Sequence, residues 1–271
     1  MPQPRKRFAQ HWLRSETALE QIIQAANLKN SDRLLEIGPG TGILTRRLLP
    51  LVDSVLAVEL DWDLCKKLVK SFGNYDNFLL LQGDILKLDI TTEAQDFPKF
   101  LPINKVVANI PYNITSPILE KLLGRISSPK TPFCDLIVLL IQKEVAQRIV
   151  AYPGNKTYGA LSVKMQYLAD CNYICDVPRK AFSPPPKVDS AVITFRPRVL
   201  ANSAVDPKRL ETLINLGFSN RRKILRNNLK SLIDSDRLGK FLREIDLNEQ
   251  VRAEKLDINQ WIALSNHFSQ Q

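Results

Sequence analysis

Apolar residues along this chain fall in short runs, and stretches of helical spacing lie between them. "RLLEI" (33–37), "SVLAVE" (54–59), "FLLLQGD" (78–84), "KVVAN" (105–109) and "DLIVLLIQ" (135–142) read as buried strands. "ILTRRLLPLV" follows a glycine cluster. In "DWDLCKKLVKSF" the residues Trp62, Leu68, Val69 and Phe72 recur at roughly helical spacing. In "SPILEKLLGRI", Ser116 is the expected cap and Pro117 suits the first helical position. Strand and helix alternate, which predicts an α/β, Rossmann-like, mostly parallel sheet.

The pattern then changes. "CNYICDV" and "SAVITFRP" read as neighbouring strands joined by the proline-rich "PRKAFSPPPKVD", which predicts an antiparallel edge to the sheet. Beyond "RPRVLANSAVDPKR" the chain reads as helical to its end. A boundary near Val199 gives a ligand-binding domain over residues 1–198 and a small all-helical domain over 199–271.

Composition narrows the function. The 271 residues are 44% hydrophobic and 24% charged, ordinary for a globular protein. The apolar run from Leu136 to Ile141 is far too short to span a bilayer, and "MPQPRKRF" lacks the apolar segment of a signal peptide. The expected location is the cytoplasm. Four cysteines without a Cys-x-x-Cys pair, and only two histidines, argue against a metal site and against a thiol nucleophile. The net charge of +10 points to a phosphate-bearing partner if the basic residues cluster. They do. Lys208, Arg209, Arg221, Arg222, Lys223, Arg226 and Lys230 face one acid, Glu211, in the same stretch. Arg222, Arg226 and Lys230 are spaced to share one helix face, with Phe218, Leu225 and Leu229 on another. Arg221, Arg222, Lys223, Arg226 and Lys230 are therefore candidate RNA contacts, binding phosphates without reading sequence. Arg5, Lys6 and Arg7 extend the track or belong to a disordered arm.

The candidate chemistry lies at strand ends. "LLEIGPGTGILT" places glycines at 38, 40 and 42 behind Glu36. Such a turn lets a ligand approach the backbone, although a glycine cluster alone is equally a plain turn. Ile43 stands where a dinucleotide fingerprint wants a third glycine, which disfavours a nicotinamide cofactor. Glu59 ends the next strand, and its two carboxylate oxygens match a ribose diol. Asp84 ends the third, placed to accept from an adenine amino group. Gly38, Gly40, Glu59 and Asp84 together point to S-adenosylmethionine. The fourth strand ends in Asn109-Ile110-Pro111-Tyr112. An adenine amine is a poor nucleophile because its lone pair is delocalised. Acceptors on both its N–H bonds, the Asn109 side-chain oxygen and the Ile110 carbonyl, would favour a pyramidal nitrogen and offset its growing charge. Pro111 fixes the turn, and Tyr112 offers a ring face for an extruded base.

These stretches carry a resemblance. "LEIGPGTG", "AVELD", "GDIL", "NIPYNITSPI", "QKEVAQRIV", "AFSPPPKVDSAV" and "FSNRRKILRNNL" resemble, in order, the KsgA/RsmA family of ribosomal RNA adenine dimethyltransferases, over nearly the whole chain. The resemblance implies a class I methyltransferase fold with a small helical domain. It implies S-adenosylmethionine-dependent dimethylation of two adjacent adenosines near the 3′ end of small-subunit rRNA, in an immature ribosomal subunit and by a monomer. It carries cofactor contacts onto His11, Leu13, Gly38, Glu59, Asp84 and Asn109, with His11 standing where the family more often has asparagine. Phe182, ahead of the triple proline, is the candidate for the second face of the flipped adenine. Rival readings are a large-subunit rRNA methyltransferase of the macrolide-resistance type and an assembly factor acting by binding. A DNA adenine methyltransferase would need a larger reading domain than the helical tail allows.

Overall fold

The computed structural model describes residues 11–198 and 204–269. Arg5, Lys6 and Arg7, and the expected boundary near Val199, lie outside the described residues. By internal contacts the chain forms two compact units. One takes the residues through Leu122 with Pro132–Ala146 and Asn172–Pro197; the other takes Leu123–Thr131, Gln147–Cys171 and the chain from Arg198.

The first unit is organised by a seven-stranded sheet: β1 (Arg33–Ile37), β2 (Ser54–Glu59), β3 (Phe78–Gln82), β4 (Lys105–Asn109), β5 (Leu136–Gln142), β6 (Ala169–Val177) and β7 (Ser190–Pro197). Its order is β3-β2-β1-β4-β5-β7-β6. β1 pairs parallel with both β2 and β4, β2 with β3, and β4 with β5. β7 runs antiparallel to β5 and lies beside β6, so the sheet ends antiparallel, as expected. The central strands are buried on both faces, hence their unbroken apolar runs. β6 alternates exposed with half-buried positions between its two buried ends, as an edge strand does. Order reverses between β1 and β4, and a crevice opens at their carboxyl ends. Their opposite ends are tied by polar groups. The Lys105 ammonium donates to Asp32 at 2.7 Å and to the Asn27 carbonyl at 2.6 Å, and Asn104 donates to the other Asp32 oxygen at 2.8 Å.

Helices form where caps and apolar spacing agree. In α1 (Glu16–Ala26) the Ser15 hydroxyl accepts from Ala18 N–H, and the helix stops where Asn27 turns left-handed. α2 (Ile43–Leu48) springs directly from Gly42, whose φ is +77°. Asp61 caps α3 (Trp62–Phe72), which buries Leu64, Cys65, Leu68 and Phe72. Two residues expected at apolar spacing face outward instead: Trp62 is 54% and Val69 56% exposed. The buried stripe runs through Leu64 and Cys65, a turn earlier. Ser116 is not a cap either. A 3₁₀ turn over Tyr112–Ile114 runs straight into the helix Thr115–Leu123, and the Thr115 hydroxyl donates to the Tyr112 carbonyl at 3.1 Å.

The second unit contains the helices Ala160–Leu168, Pro207–Gly217, Ser235–Glu244 and Ile258–Ser269. Residues 222–230 are not one helix, so Arg222, Arg226 and Lys230 do not share a helix face. Asn220 accepts from Arg222 N–H, Ile224 is extended, and only Leu225–Leu229 is helical. Leu225 and Leu229 are buried as expected, and Phe218 packs on Trp261 with ring centroids 5.7 Å apart. Among the described residues no helix is long and apolar enough to cross a membrane.

Candidate active site

The carboxyl ends of β1, β2, β3 and β4 converge on one cavity of about 360 Å³, a size suited to a small-molecule ligand. Gly38, Gly40, Glu59, Asp84, Asn109, Ile110, Pro111 and Tyr112 all line it, together with His11 and Leu13. The structure thus brings together the residues expected from four separate strand ends and from the N-terminal segment.

The glycine loop is shaped by backbone that side chains disfavour. Gly38 and Gly40 have φ of +65° and +61°, and a Cβ at Gly38 would meet nothing within 4 Å, leaving open space over the main chain. Gly38 N–H donates to the Val58 carbonyl at 2.9 Å, pinning the loop to β2. Glu59 completes the cradle. One carboxylate oxygen accepts from Gly40 N–H at 3.1 Å and the other from Asp61 N–H at 2.9 Å. Burial raises the Glu59 carboxyl above its ordinary value, and these main-chain donors oppose the shift. Asp84 accepts from Leu86 N–H at 3.0 Å through one oxygen. Glu36 sits deeper. It is fully buried, its carboxyl is pushed up to about 8 by that burial, and Thr45 donates to it at 2.7 Å.

The Asn109–Tyr112 corner follows from β4. Ile110 is buried and lines the cavity. Pro111 is extended at φ −61°, ψ 132°, and turns the chain into the 3₁₀ turn. The Tyr112 hydroxyl is hydrogen-bonded to Ser190 of β7, and burial raises its phenol above the ordinary value. The Tyr112 ring stacks toward His11, with centroids 6.1 Å apart and planes at 21°. His11 is held in turn: its Nδ1–H donates to the Pro184 carbonyl at 2.8 Å. Trp12 and Leu13 pair with Ser183 and Phe182, and Arg14 N–H donates to Ala181, so this strap joins the N-terminal segment to the proline loop.

Phe182 is placed differently from its expected role. It is 4% exposed, packs in the core with Leu13, Ala181 and Val192, and does not line the cavity. In this structure it supports the strap rather than offering a ring face. Of the candidate RNA contacts, Arg222, Lys223 and Lys230 are exposed. Two others are engaged within the second unit. Arg221 donates to the carbonyls of Lys156 and Tyr158, and Arg226 pairs with Glu249 at 2.6 Å. Sequence reasoning missed Trp12 as a cavity wall and Ser190 as the partner of Tyr112. The serine of "KVDSAV" was the available signal.

Such a cradle fits S-adenosylmethionine. The bared glycine backbone admits close approach. Glu59 keeps acceptor capacity beyond its two main-chain donors, and Asp84 has an oxygen to spare. Fold and site define a class I S-adenosylmethionine-dependent methyltransferase. A family model for ribosomal RNA adenine dimethylase matches residues 1–270. The chain is 87% identical over 270 residues to "Ribosomal RNA small subunit methyltransferase A" of Crocosphaera subtropica, covering all of both chains. It is 69% identical to the protein so described from Rippkaea orientalis, over 98% of each. Among solved structures, a dimethyladenosine transferase from Plasmodium falciparum superposes with a TM-score of 0.78 at 30% identity, over 96% of this chain and 98% of that one. The 23S rRNA methyltransferase ErmE, at 24% identity and a TM-score of 0.71 over 95% and 99%, shares the fold. The chain belongs to the ribosomal RNA adenine dimethylase family.

Proposed function

We propose that this enzyme transfers methyl groups from S-adenosylmethionine to the N6 amines of two adjacent adenosines near the 3′ end of small-subunit rRNA. In this reading it acts as a monomer in the cytoplasm, on an immature subunit. The observation that carries the proposal is Asn109-Ile110-Pro111-Tyr112 at the strand-order reversal, sharing one cavity with Gly38, Glu59 and Asp84.

The roles follow from chemistry and placement. Glu59 accepts the ribose hydroxyls, Asp84 the adenine amino group of the donor, and the loop at Gly38 and Gly40 admits its amino-acid end beside His11 and Leu13. When bound, S-adenosylmethionine supplies an electrophilic methyl carbon on a sulfonium centre. Asn109 Oδ1 and the Ile110 carbonyl accept the two N–H bonds of the target amine and turn its lone pair outward. Pro111 holds that carbonyl in place, and the Tyr112 ring supports the extruded base. A strong general base is unnecessary, because the proton becomes acidic once the nitrogen carries positive charge. Exposed Arg222, Lys223 and Lys230 take RNA phosphates.

Incubation of the protein with labelled S-adenosylmethionine and unmethylated small subunits, followed by nucleoside analysis, tests the reading. Label in N6,N6-dimethyladenosine is expected. Label in another nucleoside, or in none, contradicts it.

A further inference from the structure

The second unit presents an aromatic ring that its own packing does not use. Tyr152 is 68% exposed. It opens the loop 152–158, between the helices Lys143–Ile149 and Ala160–Leu168. That loop is fastened to its unit at several points. Gly154 N–H donates to the Glu254 carbonyl at 2.7 Å. The Arg221 guanidinium donates to the carbonyls of Lys156 at 2.8 Å and Tyr158 at 3.0 Å. The Tyr158 hydroxyl donates to the Leu256 carbonyl at 2.9 Å, and the Asn155 side chain accepts from both the amide and the hydroxyl of Thr157. Tyr152 therefore stands on a backbone that is ordered before any partner arrives.

Basic side chains outnumber acidic ones at this loop, where the acids are Glu254 and Asp257. The Lys255 ammonium lies against Gly154, 3.3 Å from where a Cβ would stand. Lys156, Arg222, Lys223 and Lys255 are exposed, and among the described residues none is in an ion pair. Glu254, the acid that reaches into this group, is held by Arg221 at 3.3 Å.

We propose that Tyr152 is a stacking platform for an unpaired RNA base, with Lys156 and Lys255 beside it as phosphate contacts. The proposal rests on the reading of the chain as an rRNA methyltransferase and names a second RNA contact, built from none of the cavity residues. An exposed flat ring on a fastened loop that also carries Lys156 and adjoins Lys255 matches a base on its sugar-phosphate chain. Each base offers a π-face, and its phosphate is taken by the flanking lysines.

The test measures affinity of the full chain for deproteinised small-subunit rRNA and for intact unmethylated subunits, across a salt series. Tyr152→Ala should weaken both by about 5- to 20-fold, from loss of one stacked base, and leave the salt slope unchanged. Tyr152→Phe should bind as wild type does. Replacing Lys156 and Lys255 by alanine should flatten the slope by about one unit each. Tyr75→Ala, removing an exposed aromatic of the first unit, should change nothing, and S-adenosylmethionine binding should be equal in all variants. Wild-type affinity in Tyr152→Ala overturns the proposal, as does a Phe variant as weak as the Ala one. Weakening toward intact subunits but not toward bare rRNA also overturns it, in favour of a ribosomal protein. In each case the parent methylation reading is untouched. Failure of the wild-type chain to bind or methylate rRNA would remove both.

Discussion

Glu36 and Glu59 are both buried acids of the cavity, and they differ in what compensates them. Glu59 is met by two main-chain N–H groups, whereas Glu36 has the Thr45 hydroxyl and the repulsion of Glu59 itself. The Glu36 carboxyl therefore titrates at about 8 in the folded protein, against an ordinary 4.5. Below pH 4.5 it is neutral in both states. As pH rises from there toward 8 only the unfolded chain ionises it, so its contribution to stability shrinks and is gone above the folded value. Glu36→Gln should melt roughly 5–10 °C above wild type at pH 9 and close to it at pH 5, measured by thermal unfolding. An equal gap at both values would refute the assignment. Glu59→Ala should abolish methylation while binding to immature small subunits survives; persistent methylation would remove Glu59 from the donor site. At this scale the sequence showed most of the cavity lining, because each strand end carries its group next to an apolar run. It did not show Phe182 as a core residue, since its burial depends on Leu13, which pairs with it from far away in the chain. Nor did it show that Arg226 is tied to Glu249, because a pair so distant in sequence leaves no local signal.

Among the elements, α2 and α3 depend on each other through one glycine. A Cβ on Gly42 would lie 2.4 Å from the Phe72 ring, and φ is +77° there. Gly42→Ala should therefore destabilise the first unit by about 2–4 kcal/mol, from overpacking and backbone strain together. Denaturant unfolding would show it, and an unchanged midpoint would contradict the packing described. Legibility was uneven here too. The strands and α3 stood out because apolar runs and periodicity are local properties. The outward turn of Trp62 and Val69 was hidden, since spacing alone does not say which apolar residues a sheet will cover. The break at 220–224 was hidden as well: Asn220 stops the helix through a side-chain bond to Arg222 N–H that competes with helical pairing.

For the whole molecule, strand order gathers distant segments into one site, and net charge of +10 supplies attraction to rRNA. Fold class was legible because strand-helix alternation leaves few topologies, whereas the unit composition was not, since residues 123–131 and 147–171 join the helical unit by contacts that no local pattern announces. The basic residues divide by environment. Arg222→Ala and Lys223→Ala should each flatten the salt dependence of rRNA binding by about one unit. Arg226→Ala should leave that slope alone and lower unfolding stability by about 1 kcal/mol or less, because it removes one of the two guanidinium partners of Glu249 and leaves Arg243. Equal slopes in all three variants would undo this division. The central claim, that Asn109 and its neighbouring carbonyl grip the target amine, is tested most directly by single-turnover methylation of small subunits by Asn109→Ala at saturating S-adenosylmethionine. The account predicts a rate lower by about 100- to 1,000-fold with rRNA affinity retained. A rate within a few-fold of wild type would contradict it.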